Sequence, residues 1–97
     1  MRKIIWLESA ANDLVRLRQF IAEKNPGAAK NAAETIRSTV KILAGSSDIG
    51  KPVSNLAPYR DVLARFGAGG YVIRYRVYND AVYIVHIRHY RENDFKS

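Results

Sequence analysis

The densest group of chemically active side chains lies near the C-terminus of this 97-residue chain, at residues 86–91. The segment reads His-Ile-Arg-His-Tyr-Arg. Histidine exchanges a proton near neutral pH, arginine stabilises developing negative charge, and tyrosine can donate or accept a proton. Cleavage of RNA through its own 2′-hydroxyl needs such a base, acid and anion clamp. The segment therefore predicts either a ribonuclease centre made of His89, Tyr90 and Arg91, or simply the polar end of a strand.

A second feature is the choice of basic residue in the C-terminal half of the chain. Between Tyr59 and Arg91 every Lys or Arg position is an arginine, and the whole chain has a net charge of +7. The planar guanidinium group suits phosphate and carboxylate recognition better than an ammonium group does. We therefore expect binding to nucleic acid, to a nucleic-acid machine or to an acidic protein, with a merely solvated basic surface as the alternative. The arginines predicted to contact the partner are Arg60, Arg74, Arg76, Arg88 and Arg91.

The sequence predicts no metal site and no cofactor. The chain contains no cysteine, and its two histidines, His86 and His89, are three positions apart on a predicted strand. Their side chains should therefore point to opposite faces of the sheet. Residues 67–70 are rich in glycine, but they join two predicted strands instead of opening a helix, which indicates a hairpin turn and not a phosphate-binding loop.

The same composition indicates where the protein acts. A chain without cysteine fits a reducing compartment. No segment has the length and hydrophobicity of a signal peptide or a membrane span. We therefore expect a cytoplasmic protein with no membrane partner.

The N-terminal half is predicted to form a short strand and a helical hairpin. The strand covers residues 2–6. Apolar residues then recur at helical spacing on two successive faces, which are Ala10, Leu14, Leu17 and Ile21, followed by Ala29, Ala33, Ile36, Val40 and Leu43. Asn25 is placed to cap the second helix, and Pro26 suits its first position.

Three strands are predicted after the loop of residues 48–58, at 59–66, 71–77 and 81–90. Their short connections require antiparallel pairing. We expect a three-residue turn at 78–80, because an even turn would place the arginines of one strand beside the apolar row of the next. The residues then predicted on an open face are Val72, Arg74, Arg76, Val82, Ile84, His86, Arg88 and Tyr90. Those predicted beneath the helices are Tyr71, Ile73, Tyr75, Val77, Ala81, Tyr83, Val85 and Ile87.

Together these elements predict one α+β domain over residues 1–97, in which a two-helix hairpin packs on one face of a small antiparallel sheet. Their order resembles the ParE/RelE superfamily of bacterial toxins. Five local strings carry the resemblance: AANDL at 10–14, FIAEKNPGAA at 20–29, LAPYR at 56–60, GYVIRYRV at 70–77 and VYIVHIRHYR at 82–91. The resemblance implies the RelE/ParE-like toxin fold and a place in a type II toxin–antitoxin system.

Two mechanisms occur in that superfamily, and the resemblance favours one of them. RelE-like members cut mRNA on ribosomes, whereas ParE-like members poison DNA gyrase and block replication. The asparagine-proline junction of the helices and the closing His89-Tyr90-Arg91 resemble the ParE branch, and Val72 stands where RelE-type chains carry an arginine. The resemblance therefore implies a gyrase inhibitor that is not an enzyme. The alternative is a ribosome-dependent mRNA endonuclease that uses His89, Tyr90 and Arg91.

The resemblance also implies an antitoxin as partner. Such antitoxins are usually acidic, which suits the positive charge of this chain. An antitoxin would lay an amphipathic helix along the helical hairpin, add a strand to the sheet edge, or both. The expected assembly is a homodimer or a toxin–antitoxin hetero-oligomer. A chain that keeps the fold but has lost toxicity is a third alternative.

Overall fold

The computed structural model describes residues 1–95. Its elements are β1 (Lys3–Trp6), α1 (Glu8–Ala22), α2 (Pro26–Leu43), β2 (Lys51–Pro52), β3 (Arg60–Phe66), β4 (Gly69–Tyr78) and β5 (Ala81–His89). The predicted elements all form, and β2 is an additional short strand within the predicted loop of residues 48–58. The last two residues of the predicted domain, Lys96 and Ser97, lie outside the described residues.

The helical hairpin forms as its sequence predicts. The Asn25 side chain accepts a hydrogen bond from the Ala28 N–H at 3.1 Å, which caps α2 one residue before Pro26. All five residues of the predicted α2 face are buried, and the α1 face is buried or packed against the core. Within residues 1–95, no helix is long and apolar enough to cross a membrane.

The sheet has the strand order β1-β5-β4-β3-β2, and the helices cover one of its faces. All neighbouring strands pair antiparallel except β1, which pairs with β5 in parallel. The crossover through both helices makes this parallel pairing possible. The largest sheet side chains fully buried beneath the helices are Ile73, Tyr75, Val82, Ile84 and Ile87.

The turn between β4 and β5 is shorter than predicted. Tyr78 pairs with Ala81, so the turn consists of Asn79 and Asp80 alone. Asn79 has a φ of +54°, which is typical of two-residue hairpin turns. The predicted register is therefore wrong next to the turn. Val82 and Ile84 are fully buried instead of lying beside the arginines, whereas Tyr83 and Val85 line the opposite face.

A β-bulge restores the predicted faces of the side chains farther from the turn, although the strands are paired differently from the prediction. Tyr75 pairs with Ile84 but the preceding Arg74 pairs with His86, so Val85 is an extra residue in β5. The strands can therefore keep an even turn without burying the Arg74 guanidinium group. An even turn would bury arginines only if the two strands paired without a bulge, and the three-residue turn was predicted for such regular strands.

Helix α1 covers the part of the β5 edge that β1 leaves unpaired. Strand β1 pairs with β5 only as far as Ile84. Beyond it, the Ser9 hydroxyl donates a hydrogen bond to the Val85 carbonyl, and the Asp13 carboxylate accepts one from the Ile87 N–H at 2.8 Å. Side chains of a helix thus satisfy the backbone groups of an edge strand that would otherwise be open to pairing.

Tyr75 fastens the loop before β2 to the core. Its hydroxyl accepts a hydrogen bond from the Gly50 N–H at 2.9 Å and donates one to the Ser47 carbonyl at 2.8 Å. Burial raises the pKa of Tyr75 above its ordinary value. A Cβ atom at position 50 would lie 2.6 Å from the tyrosine hydroxyl, so this close approach requires glycine.

Candidate functional site

The side of the sheet that faces away from the helices, here called the open face, carries three of the five predicted arginines. Alternation along β4 brings Arg74 and Arg76 to this side, and the register places Arg88 there opposite Val72. The open face includes Tyr59, Asp61, Leu63, Arg65, Val72, Arg74, Arg76, Tyr78, Tyr83, Val85, His86 and Arg88. It therefore combines guanidinium groups with aromatic and aliphatic surface.

Arg74 is held in one orientation by Asp61 on the neighbouring strand. Its Nε and Nη2 atoms donate to the two carboxylate oxygens at 2.9 and 3.0 Å. These hydrogen bonds raise the pKa of Arg74 above its ordinary value. A bidentate pair of this kind fixes the plane of the guanidinium group as well as its position. The pairing was not predicted, although Asp61 is the only acidic residue in β3.

Arg76 lies between two tyrosines at the end of the open face nearer the turn. Its Cζ atom is 5.8 Å from the centre of the Tyr59 ring and 5.3 Å from that of Tyr78, within cation–π distance. Its Nε atom is buried and has no hydrogen-bond partner within residues 1–95. In the same part of the chain no carboxylate forms an ion pair with Arg76. Its charge is therefore available to a partner.

Arg88 and His86 lie on the open face beside the segment that follows β5. The Arg88 Nη1 atom donates to the Glu92 carbonyl at 2.7 Å. His86 holds the buried Asp13 carboxylate through its Nδ1 atom at 2.8 Å. Asp13 was not predicted as a site residue, although an acidic residue three positions after Ala10 and four before Leu17 lies on the apolar face of α1.

The remaining two predicted arginines lie elsewhere. Arg60 pairs with Tyr75 across the strands, so its side chain starts on the helix side of the sheet. Its guanidinium group donates to the carbonyls of Gly50 at 2.7 Å and Asp48 at 3.2 Å. Arg91 follows the end of β5 and lines a groove beside α1. The structure thus does not bring all five arginines to one face.

His89, Tyr90 and Arg91 form a contiguous cluster at the end of β5. The rings of His89 and Tyr90 are 4.9 Å apart between centroids, and Arg91 Nε donates to the Tyr90 hydroxyl at 2.8 Å. The Arg91 N–H donates to His89 Nδ1 at 3.2 Å. Because Nδ1 accepts, the neutral imidazole carries its proton on Nε2 and can act as a donor from there.

His89 and the arginines of the open face lie on different sides of the sheet. His89 pairs with Tyr71 on the helix side, whereas His86 pairs with Arg74 on the open face. This arrangement confirms the prediction that the two histidines point to opposite faces. Within residues 1–95, no three His, Asp or Glu side chains are grouped closely enough to hold a metal ion.

A groove on the helix side runs beside this cluster. It has a volume of about 620 Å³ and is mainly apolar. Its lining includes Leu17, Phe20 and Ile21 of α1, together with Tyr71, His89 and Arg91. Phe20 is 63% exposed, so the groove continues onto an apolar patch of the helix surface.

Comparison with known proteins identifies relatives over nearly the whole chain. The family described as ParE toxin of type II toxin–antitoxin system, parDE, matches residues 4–94. Toxin RelE3 of Caulobacter vibrioides is 44% identical over 80 residues, which cover 82% of this chain and 85% of that protein. Toxin RelE2 of the same organism is 32% identical over 89 residues, which cover 92% of this chain and 96% of that protein.

A similar fold is found in a solved structure. It is described as a chromosomal ParDE TA system from P. aeruginosa, and it matches with a TM-score of 0.76 at 23% sequence identity. The match covers 92% of this chain and 96% of the other. Two helices packed on a mostly antiparallel five-stranded sheet are therefore an architecture found in a toxin–antitoxin system.

Proposed function

We propose that this chain, which belongs to the ParE toxin family of type II toxin–antitoxin systems, stops growth by binding DNA gyrase through its open face. The observation that carries the proposal is the alignment of Arg74, Arg76 and Arg88 on one face, each beside an aromatic ring. Arginine and tyrosine are enriched among the hot-spot residues that contribute most of the binding free energy at protein interfaces. A toxin that acts by binding needs such anchors and no reactive group. Its site of action would then be the cytoplasm.

The contacts of these arginines favour a protein partner over a nucleic-acid backbone. Asp61 occupies the N–H edge of Arg74, and three backbone carbonyls accept from the Nη1 atom of Arg88, so both arginines present fewer donors to a phosphate. The same face exposes apolar surface at Leu63 and Tyr78. A mixed apolar, aromatic and guanidinium surface is typical of the core of a protein–protein interface.

Reversal of charge at Arg76 tests the proposal. The variant Arg76→Glu should weaken inhibition of gyrase supercoiling by about 10-fold or more, as expected for loss of a central interface residue. Arg37→Glu is the matched control, because it makes the same charge change at an exposed position of α2. Both variants should melt cooperatively. A folded Arg76→Glu variant that inhibits as strongly as the wild type would refute binding through this face.

A ribosome-dependent mRNA endonuclease is the second candidate, and the cluster of His89, Tyr90 and Arg91 favours it. His89 could donate a hydrogen bond from Nε2 to a phosphate, while Arg91 could stabilise charge on the Tyr90 oxygen or on a phosphate. In this case His89→Ala and Tyr90→Phe should abolish mRNA cleavage and preserve ribosome binding. Cleavage that is unchanged in both variants would remove this candidate.

A toxin of this family implies an antitoxin as partner, and we propose that it is acidic and covers the helix side. The observations that support this are the net charge of +7 and the exposed apolar side chains Val15, Phe20 and Ile42 on the two helices. An amphipathic helix with acidic flanks would bury such a surface and complement the charge. The assembly would then be a toxin–antitoxin hetero-oligomer.

A further inference from the structure

The segment after β5 folds back over the open face and inserts a ring there. The Phe95 ring centre is 4.6 Å from the Cζ atom of Arg74 and 5.3 Å from that of Arg88. The imidazole of His86 lies 5.5 Å from it, centre to centre, at an angle of 32°. Phe95 is consequently half-buried although it belongs to no helix or strand. The surrounding residues Arg74, His86 and Arg88 are here called the aromatic slot.

Each of the three side chains of the slot is held by hydrogen bonds to groups outside the slot. Asp61 binds Arg74 through two atoms, the Glu92 carbonyl accepts from Arg88, and Asp13 holds His86 through Nδ1. A guanidinium group whose N–H edge is engaged still offers its flat face to a ring. A phosphate needs the N–H edges instead. The slot is therefore built for a planar ring more than for a phosphate.

The residue before the ring supplies a negative charge. Asp94 precedes Phe95, and its carboxylate accepts a hydrogen bond from the Phe95 N–H at 2.8 Å. The pKa of Arg74 is raised chiefly by its hydrogen bonds to Asp61, and the charge of Asp94 raises it further. An aromatic residue that follows a carboxylate thus complements the slot in both shape and charge.

We propose that the aromatic slot is a receptor for an aromatic side chain preceded by an acidic residue, that Asp94 and Phe95 fill it in the free toxin, and that such a segment of gyrase replaces them in the complex. The assignment to gyrase rests on the proposed function. The existence of the slot does not depend on the proposed function, because the Phe95 ring of the chain's own C-terminal segment already lies in it.

The covalent link between β5 and Phe95 determines how strongly Phe95 competes with a partner for the aromatic slot. A segment joined to β5 by a few residues competes at an effective concentration of the order of millimolar. A partner that also engages Arg76 gains contacts that the tail lacks, and so displaces it. Removal of the Phe95 ring should open the slot with little effect on folding, because the ring lies on the open face and outside the buried core.

A peptide titration tests the slot independently of gyrase. The probe is acetyl-Glu-Asn-Asp-Phe-amide, which matches residues 92–95, and its control carries alanine in place of phenylalanine. In NMR spectra the probe should shift the Nε–H signals of Arg74 and Arg88 in Phe95→Ala. It should bind the wild type about 10-fold more weakly, because the tethered ring competes. The control variant is Asn93→Ala, an exposed position in the same tail, which should behave as the wild type. Equal binding of the peptide to Phe95→Ala and to the wild type, or chemical-shift changes away from the slot, would refute the proposal that the slot binds an aromatic side chain.

A gyrase assay then tests whether gyrase displaces Asp94 and Phe95 from the slot. Phe95→Ala should inhibit supercoiling at a several-fold lower concentration than the wild type, whereas Asn93→Ala should match the wild type. Unchanged or weaker inhibition by Phe95→Ala would overturn the replacement of the tail by gyrase. If the wild type does not inhibit gyrase at all, the proposed function and the assignment to gyrase both fail. The peptide titration still decides whether the slot exists.

Discussion

The three side chains of the aromatic slot are oriented by hydrogen bonds to residues outside the slot. Asp61 fixes Arg74, Asp13 fixes His86, and the Glu92 carbonyl fixes Arg88. Such side chains lose little conformational freedom when a partner binds, because they are already ordered. Substitution of Asp61 or Asp13 should therefore weaken binding of the partner, as we also expect for substitution of the arginines.

Tyr75 allows a prediction about stability at the same scale. In Tyr75→Phe the Gly50 N–H and the Ser47 carbonyl lose their shared hydroxyl, so unfolding should require about 1–3 kcal/mol less free energy. Urea denaturation measures the difference. Val15→Ala, on an exposed position of α1, serves as the control. A Tyr75→Phe variant as stable as the wild type would show that the hydroxyl does not hold the loop.

The pH dependence of stability follows from the same ring. Burial raises the pKa of Tyr75 and of Tyr71, so the folded protein holds both phenols in the neutral form. Their contribution to stability is complete below the ordinary tyrosine pKa of 10.0 and is lost as the pH rises above it. The wild type should accordingly lose stability above that pH, with a smaller slope in Tyr75→Phe.

At the scale of elements, α1 packs on the core and also covers the edge of β5. Asp13 is 4% exposed, and its carboxylate accepts hydrogen bonds from the Ile87 N–H and from His86. In Asp13→Ala this backbone N–H is left without its partner, and the free energy of unfolding should fall by about 2 kcal/mol. Asn12→Ala, at the neighbouring exposed position, should change it by less than about 0.5 kcal/mol. Chemical denaturation of both variants checks the difference, and equal stability would contradict this role of Asp13.

The elements also show how far sequence reasoning reaches in this fold. Both helices were predictable, because their periodicity and the Asn25 cap are local properties of the chain. The faces of the side chains in β4 and β5 were predicted correctly beyond the bulge but wrongly between the bulge and the turn. The two-residue turn changes which side chains of β5 lie on each face, and the bulge at Val85 reverses this change farther along the strand. Neither feature could be recognised from the local sequence. Phe95 was not predicted, since nothing local indicates that the tail returns to the sheet.

At the scale of the whole molecule, the two sides of the sheet differ in chemistry. The helix side presents apolar residues and the groove beside Phe20, whereas the open face presents arginines stacked on aromatic rings. The segment after β5 connects the two sides, because Glu92 binds Arg16 of α1 while Phe95 lies on the open face. One side therefore suits an antitoxin and the other suits the target.

The most direct test of the central claim is a supercoiling assay with the purified wild-type toxin, relaxed plasmid, ATP and DNA gyrase. A ribosome-programmed mRNA cleavage assay with the same preparation runs beside it. We predict loss of supercoiling, with broken DNA trapped on gyrase, and intact mRNA. Full supercoiling together with cut mRNA would contradict the account, and would transfer the function from the open face to His89, Tyr90 and Arg91.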